Sequence, residues 1–170
     1  MTSLNLIPVM LANLGIGALA MASASSSPAS PPLILNETAS MAKGVYARVG
    51  DTPNLRHGDI IAIQMNPASK DYLSGTLGYP ESTLLIKRVA GMDGDVFCRN
   101  GTVVTVGTTK VQAAFTDAQG NDLPTFDGCW RLSADQVFLL GDDPRSFDSR
   151  YFGPVAKNQL MGTYRGIVTW

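Results

Sequence analysis

The chain has 170 residues, enough for one domain with a real core, and carries a net charge of −1 with only 16% charged residues. A polyanion binder shows a basic stripe; none runs through this sequence, so no nucleic-acid partner is expected. Seventeen glycines, ten prolines and short aliphatic segments favour an irregular β-rich domain over a helical one.

Met1 to Ala22 holds no charged side chain and matches the roughly twenty residues that a bilayer-spanning helix requires. It reads as an apolar helix retained as a membrane anchor. The alternative is a signal peptide cut near Ala20–Met21–Ala22 or Ala22–Ser23–Ala24, where small residues take the A-x-A spacing. No Lys or Arg precedes the segment, and the first basic residues, Lys43 and Arg48, follow it. Ser23 to Pro32 is a Ser/Ala/Pro linker that can bury no core, so the folded domain is expected over 33–170.

Leu33–Ile34–Leu35 is a short apolar strand leading into Asn36–Glu37–Thr38–Ala39–Ser40–Met41–Ala42–Lys43, which is turn chemistry, and strand pattern returns at Val45–Val49. Asp59–Met65 is apolar nearly throughout and is expected as a central strand. His57, the single histidine, stands in the loop before it with nothing nearby to hold an imidazole, so it reads as an exposed loop residue. One His and two separated Cys make no metal site. Asn66 to Ser82 is a polar excursion.

Leu84 to Val89 reads as a strand ended by a sharp turn at Gly91 and Gly94. It carries two adjacent cations, Lys87 on the face of Leu85 and Val89, Arg88 on the face of Leu84 and Ile86. Periodicity leaves open which points inward; a desolvated lysine becomes a neutral base near pH 7, whereas an arginine stays charged. Asn100–Gly101 joins Val96–Cys98 to Thr102–Val106 as a hairpin. Lys110–Phe115 and Gln136–Leu140 are further strands, Thr116 to Asp127 is a loop, and Gly162–Trp170 is the last strand. Cys98 and Cys129, an even pair behind an apolar leader, read as a disulfide, with two buried free thiols as the alternative. Gly141 to Gly153 packs acids, bases and hydroxyls directly after a buried strand.

Ser40–Met41 in a loop, Lys87–Arg88–Val89–Ala90–Gly91 with Gly94–Asp95 on a strand, and Gly141–Asp142 with Ser146 to Gly153 occur in one order. That ordered triple resembles the motifs of bacterial type I signal peptidases. Asn36-x-Thr38-x-Ser40 followed by Gly44–Val45–Tyr46 resembles their TraF-type conjugative-transfer branch. The resemblance implies a mainly β, irregular antiparallel fold shared with LexA-like domains, and a Ser/Lys endopeptidase without a cofactor. Ser40 would be the nucleophile and Lys87 its general base. The Ser40 N–H and the Thr38 hydroxyl would form the oxyanion hole, Ser146 would orient the Lys87 amine, the Asp148–Arg150 pair would hold that loop, and Gly141 would leave room for the lysine. Ala42 stands where the family has a proline, so a φ restraint on the turn is missing.

The implied setting is the bacterial inner membrane with the catalytic domain facing the periplasm. The implied partner is an exported precursor, a conjugative pilin precursor in the TraF branch, cleaved or closed into a ring, with other conjugation subunits as further partners. A silent scaffold of a conjugative secretion system is the alternative reading. A LexA-type repressor would need a helical DNA-binding domain where the apolar leader stands.

Overall fold

The computed structural model describes residues 30–170. The apolar helix expected over 1–22 and the linker up to residue 29 lie outside the described residues. In chain order the strands are β1 (Leu33–Asn36), β2 (Gly44–Gly50), β3 (Ile60–Gln64), β4 (Leu84–Gly91), β5 (Val96–Asn100), β6 (Val103–Val106), β7 (Thr109–Gln112), β8 (Gly128–Arg131), β9 (Gln136–Leu140), β10 (Val155–Ala156) and β11 (Leu160–Thr169). Two one-turn helices accompany them, α1 (Pro67–Lys70) and α2 (Ser149–Phe152). The strands form a seven-stranded sheet, β1-β2-β11-β3-β4-β9-β10, and a four-stranded one, β7-β6-β5-β8. Every named pairing is antiparallel, so the mainly β antiparallel expectation holds.

Both faces of the large sheet are covered at its centre, which explains the unbroken apolar run of β3. Ile61 and Ile63 face Val89, Val137, Leu139 and Phe152, while Ala62 faces Met41, Tyr46, Ile86 and Tyr164. Each fully buried aliphatic side chain there contributes about 1.5–3 kcal/mol. The small sheet packs Phe97, Val104 and Val106 onto Phe138 and Leu140 of β9. Gly91 makes this junction possible: a Cβ there would meet Val106 Cγ2 at 2.4 Å and Leu132 Cδ1 at 2.9 Å.

Asn100–Gly101 turns β5 into β6 with Gly101 at φ +57°, the left-handed value that hairpin turns require. Cys98 and Cys129 are direct partners across β5 and β8 and are disulfide-bonded. Several segments depart from expectation. The excursion after β3 is not all loop: Asn66 caps α1 by accepting the Ser69 N–H at 2.8 Å, Pro67 follows, and a single π-helical turn, Asp71–Thr76, continues it. The strand expected over Lys110–Phe115 ends at Gln112, because the Ala113 N–H turns back to the Thr102 carbonyl and the Ala114 N–H to the Tyr151 hydroxyl. Gly128–Arg131, unassigned from sequence, is the edge strand β8. Among the described residues no helix is long and apolar enough to cross a membrane.

Candidate active site

The register Asn36↔Gly44 makes residues 37–43 the loop of the β1–β2 hairpin, with Ser40 at its tip. One buried carboxamide organises that loop. Asn36 Nδ2 donates to the carbonyls of Thr38 (3.0 Å), Met41 (3.1 Å) and Ala42 (3.1 Å), and its Oδ1 accepts from the Thr38 N–H and hydroxyl. Met41 is sunk in the core beside Ala62 and Ile86. The Tyr46 hydroxyl also donates to the Ala42 carbonyl at 2.7 Å, so hydrogen bonds hold a turn on which Ala42 places no φ restraint. From the other side, the Asp142 and Asp143 N–H groups donate to the Ser40 carbonyl at 2.8 and 3.3 Å.

Lys87 is the cation of β4 that points inward. It is 3% exposed, and its Nζ lies 2.9 Å from Ser40 Oγ. Burial pushes the ammonium down to about 8, against the pull of Asp148 and Asp142 and with the help of Arg150. An amine so placed is neutral in an appreciable fraction of molecules near pH 7–8 and can take a hydroxyl proton. Arg88 points the opposite way and grips the Asp142 carboxylate with two hydrogen bonds of 2.9 and 2.8 Å, while also donating to the Gly58 carbonyl.

A family profile described as "Signal peptidase, peptidase S26" matches residues 3–170. The chain belongs to that family. A plasmid transfer protein TraF of Escherichia coli is 28% identical over 115 residues, 65% of each chain. A second E. coli plasmid transfer protein TraF is 36% identical over 56 residues, 32% of each. The chain thus covers less than two thirds of the length of either relative. A signal peptidase I from Enterococcus faecalis V583 overlays with a TM-score of 0.39 at 20% identity, covering 66% of this chain and 98% of that one.

In this S26 family member the supporting residues fall differently from the sequence reading. Ser146 is buried, but among the described residues its Oγ has no hydrogen-bond partner, so it does not hold the Lys87 amine here; Lys87 hydrogen-bonds Ser40 instead. Gly141 was expected to make room for the lysine. The atoms nearest to a Cβ built there are Ser146 Oγ (2.1 Å), Ser146 Cβ (2.6 Å) and the Ser40 carbonyl oxygen (2.6 Å), so a side chain at 141 would collide with Ser146 and the Ser40 loop. Gly141→Ala is therefore expected to push Ser146 and the Ser40 loop apart, costing about 1–3 kcal/mol in an unfolding titration.

The Asp148–Arg150 pair does tie down the 141–150 segment. Asp148 accepts the Gly141 N–H at 2.8 Å, and Arg150 Nη1 donates to the Pro144 carbonyl. His57 is 59% exposed, and its Nε2 lies 3.3 Å from Asp95 Oδ2, a partner unforeseen in sequence; it makes no hydrogen bond to Ser40. Asn36 was legible only as a motif letter, because a strand-end asparagine gives no sign of what its side chain reaches. Among the described residues no cluster of ligating side chains could hold a metal ion.

Proposed function

We propose that the chain is a Ser/Lys endopeptidase that removes leader segments from exported precursors. The observation that supports it is the 2.9 Å contact between the Ser40 hydroxyl and a buried amine lowered to about 8. Neutral Lys87 takes the Ser40 proton as Oγ attacks the scissile carbonyl. The Ser40 N–H, with Thr38, faces the developing oxyanion, a kind of donor worth about 3 kcal/mol in such sites. Lys87 returns the proton to the leaving amine, then activates the water that frees the acyl-enzyme.

A conjugative pilin precursor is the proposed substrate, on the strength of the plasmid transfer proteins that the chain resembles. An amine of the same chain could capture the acyl-enzyme in place of water, giving a ring lighter by one water than the linear product. The apolar 1–22 segment and the Cys98–Cys129 disulfide support an inner-membrane enzyme with its domain in the oxidising periplasm.

Incubation with a penem acylating probe tests the site. Ser40 Oγ should open the lactam, breaking its C–N bond, and intact mass should rise by the whole probe. Ser40→Ala should show no adduct; an adduct of the same yield in that variant would overturn the reading. A wild-type chain that never acylates would instead favour a silent scaffold of a conjugation system.

A further inference from the structure

Resting on the Ser40/Lys87 reading, we propose that Asn36 is a positioning residue that sets the direction of a proton chain through Thr38 and Ser40, making Thr38 the acceptor of the Ser40 proton in the resting site. The argument starts from which end of the carboxamide faces where. Three carbonyl oxygens surround Nδ2 at 3.0–3.1 Å, so the nitrogen must be there and Oδ1 must face Thr38. A carboxamide oxygen carries no proton. The Thr38 hydroxyl, 2.8 Å away, therefore donates to it.

Thr38 has one hydroxyl proton, and Asn36 has claimed it. Toward Ser40 Oγ, at 3.1 Å, Thr38 can then only accept, so Ser40 is the donor of that bond. The Ser40 oxygen in turn accepts from the Lys87 ammonium at 2.9 Å. All three links point one way, Lys87 to Ser40 to Thr38 to Asn36, and aligned links strengthen one another. When Lys87 loses its proton, the Ser40 hydroxyl swings to the amine and Thr38 loses its donor. Asn36 thus favours the protonated resting state, and Thr38 reaches an oxyanion only by releasing Oδ1. The charged groups facing Lys87 are Asp142 from the loop after β9, Asp148 ahead of α2 and Arg150 within it. None of them is a link in the Lys87–Ser40–Thr38–Asn36 series.

The pH midpoint of Ser40 acylation by the penem probe, measured on the full chain, tests the proposal. Thr38→Val and Asn36→Ala each remove a link that favours the ammonium, so each midpoint should fall by about 0.5–1 unit, the equivalent of one modest hydrogen bond. Because both act through one hydroxyl, the double variant should fall no further than the larger single effect. Thr38→Ser, which keeps the hydroxyl, should restore the wild-type midpoint. If Asn36 were only a strut, loosening the loop would hydrate Lys87 and raise the midpoint toward the ordinary lysine value. A rise, no movement, or additive shifts would overturn the proposal. Thr38 is exposed, so Thr38→Val folds and decides the direction even if Asn36→Ala does not accumulate. A wild-type chain without any Ser40 adduct sinks the Ser/Lys reading and this inference together. A chain that acylates with an unshifted midpoint in Thr38→Val sinks the inference alone.

Discussion

Lys87→Met is expected to slow Ser40 acylation by about 10³-fold or more and, at the same time, to make the folded domain more stable at pH 7. The two effects have one origin. A lysine amine that ordinarily titrates at 10.5 is held at about 8 because it is buried, on β4 opposite Ile61 of β3 and against Ser40 of the 37–43 loop. The folded state therefore binds fewer protons than the unfolded chain between about pH 8 and 10.5. Wild-type stability rises with pH across that window, by about 3 kcal/mol in all at 1.36 kcal/mol per unit. Below pH 8 the lysine is charged in both states and the whole penalty is present. Methionine fills a similar volume without charge, and Asp148, already gripped by Arg150, is not orphaned by the change. The gain of Lys87→Met over wild type should be full at pH 7, shrink through the window and vanish above about pH 10.5. Urea titrations at several pH values would show it. His57→Ala, whose imidazole faces Asp95 in solvent, should leave acylation near wild type. A Lys87→Met chain that acylates normally beside a dead His57→Ala would reverse the assignment of the base.

Why the inward cation could not be read from sequence follows from the same burial. The strand is apolar on both faces, since Leu85 and Val89 pack into one cluster and Leu84 and Ile86 into another, so alternation separates Lys87 from Arg88 without ranking them. Where local chemistry suffices, sequence and structure agree: Asn100–Gly101 closes its hairpin, and β9 runs from Gln136 to Leu140 as expected. Where an element exists only through a partner, the signal is missing. All four residues of β8 are exposed and show no alternation; pairing with β5 and the Cys98–Cys129 bond make it a strand. The Ser–Met, Lys and Gly–Asp motifs name residues that the fold brings together, but not the hydrogen bonds among them. The packing of Gly141 against the Ser40 loop depends on segments far apart in the chain, and the carboxamide of Asn36 on the shape of its own hairpin loop, which no local pattern discloses.

Asp148→Asn is expected to cost about 3–5 kcal/mol. Asp148 is 0% exposed and Arg150 1%. The two carboxylate oxygens accept from the Gly141 N–H, the Arg150 N–H, Nε and Nη2, all within 3.1 Å. Asparagine has one acceptor oxygen and turns two N–H donors toward groups that are themselves donors. Arg150 would be left as a buried cation with no counter-charge, held by the one remaining amide oxygen and the carbonyls of Gln112 and Pro144. Water and salt reach neither partner, so the loss should persist at high ionic strength, unlike that of an exposed pair. The same change acts on Lys87 in the opposite sense. The Asp148 carboxylate is the first of the charges that hold the Lys87 ammonium up, while Arg150 presses it down. Without the anion, the lysine of the molecules that remain folded should titrate below about 8, and acylation should become half-maximal at a lower pH although the fold is weaker. Replacing Arg150 as well, in Asp148→Asn/Arg150→Met, removes the orphaned cation and should recover much of the stability. A loss under about 1 kcal/mol in the single variant, or an upward shift of its acylation midpoint, would mean that the pair does not carry the 141–150 loop or act on the amine at 87.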